Sequence, residues 1–192
     1  MGQNEKYAHM EIAARARAAL GKKNLIFVGA MGAGKTTIGR MISVRMKLPF
    51  VDTDCEIEKL SSMTINNFFH YYGEDVFRDI ESQVIQVHLQ RSSCIIATGG
   101  GSFLNEKDRE SMRNRGITFY LQAHCNVLWE RIRDSGNRPL LNGANPKEIL
   151  RRLIESRLEI YAQADMTLCC SILSIEETVD HVMRKLIDFR NY

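Results

Sequence analysis

The first residues in this chain that could do chemistry form a glycine-rich segment, residues 29–36, whose letters GAMGAGKT fit the pattern GxxxxGK[ST]. An apolar run precedes the segment and an amphipathic stretch follows it, which is the strand–loop–helix context that the pattern requires. Glycines allow backbone angles that turn successive N–H groups inward, and the start of a helix adds positive potential. Lys35 could then reach the β- and γ-phosphates of a nucleotide, and the Thr36 hydroxyl could bind Mg²⁺. The segment predicts a nucleoside triphosphate site and leaves the phosphate acceptor open.

Two carboxylates, Asp52 and Asp54, follow at the end of the second candidate strand. Ligands of doubly wound sheets gather at the carboxyl ends of the strands, so both side chains are expected near the nucleotide. One could hold Mg²⁺ directly or through water, and the other could accept a hydrogen bond from a substrate hydroxyl and help to deprotonate it. The alternative is that Asp54 only caps the helix that follows it.

A second glycine segment consists of Gly99, Gly100 and Gly101 and follows the third candidate strand. In many phosphate-loop proteins that strand ends in an aspartate that binds Mg²⁺ through water, and its absence here shifts this role to Asp52. Consecutive glycines let backbone amides approach a ligand closely, although a plain tight loop has the same composition.

Three arginines, Arg78, Arg138 and Arg157, stand in segments that could face this site. A guanidinium binds a carboxylate through two parallel hydrogen bonds, which suits a small acidic substrate. Phosphoryl transfer also needs a cation over the phosphates, and the Gly-, Asn- and Pro-rich loop around Arg138 could deliver one. An arginine considered by itself is more often a surface residue than a ligand-binding one.

The elements that must position these residues alternate between apolar strands and helices. The candidate strands are residues 25–28, 49–52, 94–97, 117–121 and 166–169. Helices are predicted near 34–46, 105–115, 124–134, 146–163 and 175–188, and over most of 54–91. Strands separated by helices imply crossover connections, so we predict an α/β fold with a parallel sheet covered by helices on both faces.

Composition excludes several other classes of protein. The chain has 192 residues, 44% of them hydrophobic, which suits one globular domain. Its net charge of +3 is too balanced to indicate nucleic acid or a membrane surface as a partner. No apolar run approaches the roughly 18 residues of a membrane helix, and the N-terminus lacks the apolar core of a signal peptide. We therefore expect a cytoplasmic protein.

Several residue types are assigned no role in the chemistry. The five cysteines form no CxxC pair and are interpreted as buried thiols in a reducing compartment. No His and Cys spacing fits a metal site. The aromatic pairs Phe68-Phe69 and Tyr71-Tyr72 are interpreted as packing residues. Residues 1–23 form an N-terminal appendage of unassigned function, either helical or disordered. Residues 7–20 favour a helix, which could pack on the domain or be frayed.

Taken together, the motifs resemble those of the shikimate kinase family over roughly residues 25–188. The segments that carry the resemblance are, in chain order, GAMGAGKTTIGR (29–40), DTD (52–54), FRDIE (77–81), TGGG (98–101), RPLL (138–141) and RLEIY (157–161). The resemblance implies transfer of the γ-phosphate of ATP to the 3-hydroxyl of shikimate, on the route to chorismate and the aromatic amino acids. It also implies a P-loop NTPase-type fold with a five-stranded parallel sheet. By the same resemblance, residues 24–192 would form a single kinase domain with a helical substrate-binding lobe at about 53–92 and a lid at about 134–147.

The resemblance further implies which residues bind ATP and its metal. The ATP-binding residues would be Gly32, Ala33, Gly34, Lys35, Thr36, Thr37, Arg131 and Arg138. Within this set, Arg131 would flank the adenine and Arg138 would descend from the lid onto the phosphates. Mg²⁺ would be the cofactor, held by Thr36 and Asp52.

A substrate site is implied in the same way. The shikimate-binding residues would be Asp54, Arg78, Gly99, Gly100, Gly101 and Arg157. The catalytic residues would be Lys35, Asp54 and Arg138, with Asp54 as the candidate base. Arg78 and Arg157 would clamp the carboxylate, Glu81 would orient Arg78, and the glycine amides would lie close to the ring hydroxyls.

The sequence is also compatible with two functions other than shikimate phosphorylation. A kinase for another hydroxy acid such as gluconate would need similar groups, although the FRDIE and RLEIY arginines with the DTD segment favour shikimate. A nucleotide-binding module without chemistry is the second alternative, and the lack of an Asn-Lys-x-Asp guanine motif argues against a GTP switch. We expect small-molecule partners and a monomer.

Overall fold

The structure is a computed structural model that describes residues 3–134, 139–141 and 143–189. Its five parallel strands form one sheet in the order β2-β3-β1-β4-β5. The strands are β1 (Asn24–Val28), β2 (Phe50–Asp52), β3 (Ile95–Ala97), β4 (Gly116–Gln122) and β5 (Met166–Cys169). The predicted α/β class and all five predicted strands are confirmed.

Eight α-helices are present in the described part of the chain. They are α1 (Gln3–Leu20), α2 (Lys35–Met46), α3 (Thr53–Ser61), α4 (Ile65–Leu89), α5 (Glu106–Arg115), α6 (Cys125–Ile132), α7 (Pro146–Tyr161) and α8 (Ile175–Phe189), with 3₁₀ turns at Ser102–Leu104 and Pro139–Leu141. None of these helices combines the length and the apolar content that crossing a membrane requires.

The central strand β1 shows why helices cover both faces of the sheet. All five of its residues are buried. Leu25 and Phe27 pack into an apolar cluster with residues of α1, α2 and α8, whereas Ile26 and Val28 pack into a second cluster with residues of α4 and α5. Successive side chains of a strand point to opposite faces, so a strand buried on both sides needs an unbroken apolar run.

The parallel arrangement brings three functional segments to one edge of the sheet. Asp52 at the end of β2 is in register with Ala97 at the end of β3, and Ala97 is in register with Phe27 of β1. The segments that follow these strands are the phosphate loop, the acidic pair and the glycine segment. They therefore meet at the carboxyl edge, where ligands of such sheets bind.

The helical stretch over 54–91 consists of α3 and α4, whose shared apolar cluster contains Ile57, Phe68, Phe77 and Val84. Gly73 interrupts α4 with a φ of 80° and a ψ of 177°. The prediction that Tyr71 serves as a packing residue is wrong, because 70% of its surface is exposed. Tyr72 is 51% exposed, but its ring packs on that of Phe68 with 4.9 Å between centroids. Since one side of α4 faces α3, the aromatic residues at positions 68, 69, 71 and 72 cannot all be buried there.

The N-terminal segment is part of the main core. The helix predicted over residues 7–20 is confirmed as part of α1, and Ala13, Ala16 and Leu20 are buried in the cluster shared with α2 and α8. Cys94 and Cys170 are buried, as predicted, whereas the interpretation of Cys55 and Cys169 as buried thiols is wrong, since both are exposed. Cys55 lies on the first turn of α3, and Cys169 ends β5, which lies at the edge of the sheet beside β4.

Candidate active site

The phosphate loop has the backbone shape that its glycines were expected to allow. Gly34 has a φ of +95° and is the N-cap of α2, a conformation that residues with a side chain rarely adopt. The amino end of α2 opens on a cavity of about 600 Å³. All six loop residues predicted to bind ATP line it: Gly32, Ala33, Gly34, Lys35, Thr36 and Thr37. The cavity thus offers an anion the positive end of a helix.

Among the described residues, two cations reach this cavity. The buried Lys35 side chain donates from Nζ to the carbonyl oxygens of Gly29 at 2.7 Å and Ala30 at 2.9 Å, which holds the ammonium group against its own loop. Arg131 on α6 also lines the cavity and donates to the carbonyl of Gly32 at 3.2 Å. Arg138, the third predicted cation, lies outside the described residues.

Asp52 joins the phosphate loop to α3. Its Oδ2 accepts a hydrogen bond from the Thr36 hydroxyl at 2.6 Å, and its Oδ1 accepts from the backbone N–H groups of Asp54 and Cys55 at 3.1 and 3.3 Å. Asp52 is therefore the N-cap of α3, so the alternative that Asp54 serves only as this cap is wrong. Hydroxyl and carboxylate oxygens such as those of Thr36 and Asp52 are the ligands that Mg²⁺ prefers.

Asp54, on the first turn of α3, lines both the nucleotide cavity and a second cavity of about 440 Å³. Burial raises the pKa of its carboxyl group to about 6, and the charges of Glu81 and Asp52 add to this effect. The positive charges of Lys35 and Arg78 lower this pKa. The carboxylate is thus ionised at neutral pH but basic enough to accept a proton.

The second cavity contains Arg78, held by two glutamates. Its Nη1 donates to Oε2 of Glu81 at 2.7 Å, and its Nε and Nη2 donate to Oε1 of Glu74 at 3.2 and 2.9 Å. Glu81 is almost fully buried, and its other oxygen accepts from the Ser102 hydroxyl at 2.6 Å. Each terminal nitrogen of Arg78 keeps one N–H without a partner among the described residues, which suits a carboxylate ligand.

Arg157 reaches the same cavity from α7. Its Nη1 donates to the carbonyl oxygen of Gly100 at 3.3 Å, and the hydroxyl of Tyr161, one helical turn later, donates to the same oxygen. The cavity wall also includes the aromatic rings of Phe69 and Phe77. Asp54, Arg78 and Arg157 thus surround one space that an acidic, hydroxylated molecule could enter.

All three glycines of the second glycine segment line the second cavity, where the structure also gives two of them contacts that the sequence did not predict. The N–H of Gly99 donates to the hydroxyl of the buried Thr53 at 3.0 Å, so this amide is not directed at a ligand. Gly101 has a φ of −104°, which any residue can adopt. Its lack of a side chain matters because the guanidinium of Arg78 lies where a Cβ atom would stand. Gly101 therefore makes room for Arg78.

Four residues of this site were not predicted from the sequence: Thr53, Glu74, Ser102 and Tyr161. Glu74 and Tyr161 each lie four residues from a predicted arginine on the same helix, a spacing that places side chains on one face. Thr53 lies between the two aspartates, and Ser102 directly follows the glycines. The sequence signal that could have found each of them is therefore its position beside a predicted site residue.

Comparison with known proteins agrees with this geometry. The sequence model of the family described as shikimate kinase matches residues 31–187. The chain belongs to the shikimate kinase family. One family member, from Rhizobium leguminosarum, is 45% identical over 174 residues, which cover 91% of this chain and 89% of the relative.

Solved structures place the chain in the same way. A shikimate kinase from Acinetobacter baumannii, determined in complex with shikimate, superimposes with a TM-score of 0.85 at 32% identity and covers 90% of this chain and 97% of that one. A gluconokinase from Sinorhizobium meliloti has a TM-score of 0.50 at 18% identity, over 88% of this chain and 92% of that one, and shares the fold alone. The predicted family is therefore confirmed.

Proposed function

We propose that this member of the shikimate kinase family transfers the γ-phosphate of ATP to the 3-hydroxyl of shikimate, giving shikimate 3-phosphate and ADP. The observation that supports the proposal best is the junction of the two cavities. Asp54 and Gly100 line both of them, so an acceptor held by Arg78 and Arg157 would lie beside the phosphates held at Lys35.

The nucleotide would occupy the cavity over the phosphate loop. Lys35, the loop amides and the amino end of α2 would hold the phosphates, and Arg131 would lie beside the adenine. Thr36 and Asp52 would hold Mg²⁺, which when bound neutralises charge on the phosphate oxygens. No three His, Cys, Asp or Glu side chains converge on a possible metal position in the described part of the chain, so most other ligands would be phosphate and water oxygens.

Shikimate would occupy the second cavity. The N–H groups of Arg78 and Arg157 would bind its carboxylate, and Asp54 would accept hydrogen bonds from its hydroxyls. Gly100 and Gly101 would line the ring. Buried Glu81 would keep Arg78 in place, since Arg78 pairs with it at 2.7 Å.

The chemical step would follow from this placement. Asp54 accepts the proton of the 3-hydroxyl as the oxygen forms a bond to the γ-phosphorus, and the bond from that phosphorus to the β–γ bridging oxygen breaks to release ADP. The protein mainly supplies position and charge in such a transfer. Arg138 would add a cation from the lid, and lid closure over both substrates would exclude water.

The remaining features belong to the same proposal. The proposal takes the protein as a monomer in the cytoplasm, as expected from its sequence. The small net charge gives no reason to expect a nucleic-acid or membrane partner.

An assay of ADP release tests the proposal. The purified protein receives ATP and Mg²⁺ with shikimate in one set of reactions and gluconate in another. We expect turnover with shikimate and only background hydrolysis with gluconate. Turnover of gluconate alone would replace the proposed substrate, and ATP binding without transfer to either acid would indicate a non-catalytic module.

A further inference from the structure

The carbonyl oxygen of Gly100 accepts two hydrogen bonds from one face of α7. Arg157 donates to it from Nη1 at 3.3 Å, and the hydroxyl of Tyr161 donates to it as well. Tyr161 is fully buried, and it is separated from Gly100 by 61 positions in the sequence. One peptide oxygen therefore connects a buried phenol to an arginine of the substrate cavity.

Gly100 occupies the boundary between the two cavities. It lines both of them, and a Cβ atom added to it would stand 3.4 Å from the backbone nitrogen of Met31 in the phosphate loop. The Gly100 peptide is thus packed between the phosphate loop and the substrate cavity. A rotation of this peptide would move the oxygen that Arg157 binds.

The ring of Tyr161 is held rigidly. It stacks on Tyr120 of β4 with 5.1 Å between ring centroids and 24° between planes, and Tyr120 in turn lies against Gly29 of the phosphate loop. Burial raises the pKa of the Tyr161 hydroxyl above its ordinary value, which keeps the group protonated and able to donate. The direction of the O–H group is therefore set by the core of the protein.

We propose that Tyr161 is a positioning residue of the carboxylate clamp: its hydroxyl fixes the Gly100 carbonyl, and that carbonyl fixes the guanidinium of Arg157. The inference rests on the proposed function, because it concerns how this chain holds shikimate. Without the hydroxyl, the Gly100 oxygen has Arg157 as its one partner among the described residues. The arginine and the peptide can then shift together, and the clamp loses its fixed geometry.

The test compares Tyr161→Phe with Tyr120→Phe. Both variants keep the stacked rings and remove one hydroxyl, but the Tyr120 hydroxyl makes no hydrogen bond to the described residues. In Tyr161→Phe we expect KM for shikimate to rise about 3- to 10-fold, as the loss of one hydrogen bond predicts, with KM for ATP changed less than about twofold. In Tyr120→Phe we expect both constants to stay within about twofold of wild type.

A double-mutant cycle isolates the route through Arg157. Adding Tyr161→Phe to Arg157→Ala should have little further effect on KM for shikimate, because the positioned group is already absent. The proposal would be overturned if Tyr161→Phe changed KM for shikimate and KM for ATP equally, or if Tyr120→Phe had the same effect as Tyr161→Phe. Additive effects of Tyr161→Phe and Arg157→Ala would overturn it too. An unstable Tyr161→Phe protein would do so too, since the residue would then be structural. Failure of the wild type to phosphorylate shikimate would instead refute the proposed function.

Discussion

The hydroxyl of Thr36 donates to Oδ2 of Asp52 at 2.6 Å, while Oδ1 of Asp52 caps α3. Thr36 belongs to the first turn of α2, and Asp54 belongs to the first turn of α3. A single carboxylate therefore fixes the helix that follows the phosphate loop relative to the helix that carries the candidate base. The proposed metal position and the position of Asp54 depend on the same residue.

Asp52→Asn separates these two roles. Asparagine is as good a helix cap as aspartate, so α3 should stay in place, but the charge that attracts Mg²⁺ is lost. We expect half-maximal activity to require at least about tenfold more Mg²⁺, with a melting temperature close to that of wild type. A Mg²⁺ titration of ADP release measures the first effect.

Asp52→Ala is the matched variant, because it removes both the charge and the cap. It should show the same Mg²⁺ requirement and an additional loss of stability of about 1 kcal/mol. If Asp52→Asn needs no more Mg²⁺ than wild type, Asp52 does not hold the metal.

A second prediction concerns the pH dependence of activity. Because burial raises the pKa of Asp54 to about 6, its base form should be lost as the pH falls through this value. We expect kcat/KM for shikimate to fall tenfold per pH unit below about 6. Asp54→Asn should lower kcat about 10²-fold or more with a small change in KM for ATP, and its residual activity should lack this pH dependence. An unchanged acid limb in the variant would assign the limb to another group.

The raised pKa of Asp54 should also make the stability of the folded protein depend on pH. The folded protein binds the Asp54 proton more tightly than the unfolded chain, where the pKa is near 3.8. The ionised carboxylate therefore destabilises the fold at pH values above 6, and this penalty disappears as the pH falls towards 4. At pH 8, Asp54→Asn should raise the free energy of unfolding by on the order of 2 kcal/mol, and at pH 4 by little.

Urea unfolding at the two pH values measures this difference. Asp75→Asn is a suitable control, because Asp75 is an exposed residue of α4, and its substitution should change stability by less than about 0.5 kcal/mol at either pH. A loss of stability in Asp54→Asn at pH 8 would mean that the carboxylate stabilises the fold.

The sequence predicted the parts of this site that depend on local pattern. Lys35 and Thr36 follow from the glycine loop, because the spacing of its glycines permits one backbone shape. Asp52 and Asp54 follow from their place after an apolar run. The five strands follow in the same way, since a strand buried on both faces leaves an unbroken apolar signal.

The features that the sequence did not predict depend on packing between distant segments. The exposure of Tyr71 and Tyr72 depends on which side of α4 faces α3. A run of aromatic residues in the sequence does not show which side that is. Likewise, the sequence did not reveal that Gly101 also makes room for the guanidinium of Arg78, a residue 23 positions earlier.

Gly101→Ala tests that last relationship. The backbone angles at Gly101 suit alanine, so the substitution acts through its methyl group, which would occupy the place of the Arg78 guanidinium. We expect Arg78 to be displaced and KM for shikimate to rise about tenfold or more, while KM for ATP changes little. Initial-rate measurements with each substrate varied in turn give both constants.

The control is the same substitution in the Arg78→Ala protein. With the guanidinium gone, the three atoms nearest to the methyl group are removed, so Gly101→Ala should cost little beyond the loss already caused by Arg78→Ala. If the two changes add, the methyl group acts on something other than Arg78, such as the substrate itself. An unchanged KM for shikimate in Gly101→Ala would mean that Arg78 can bind the carboxylate from another position, and the proposed clamp geometry would have to be revised.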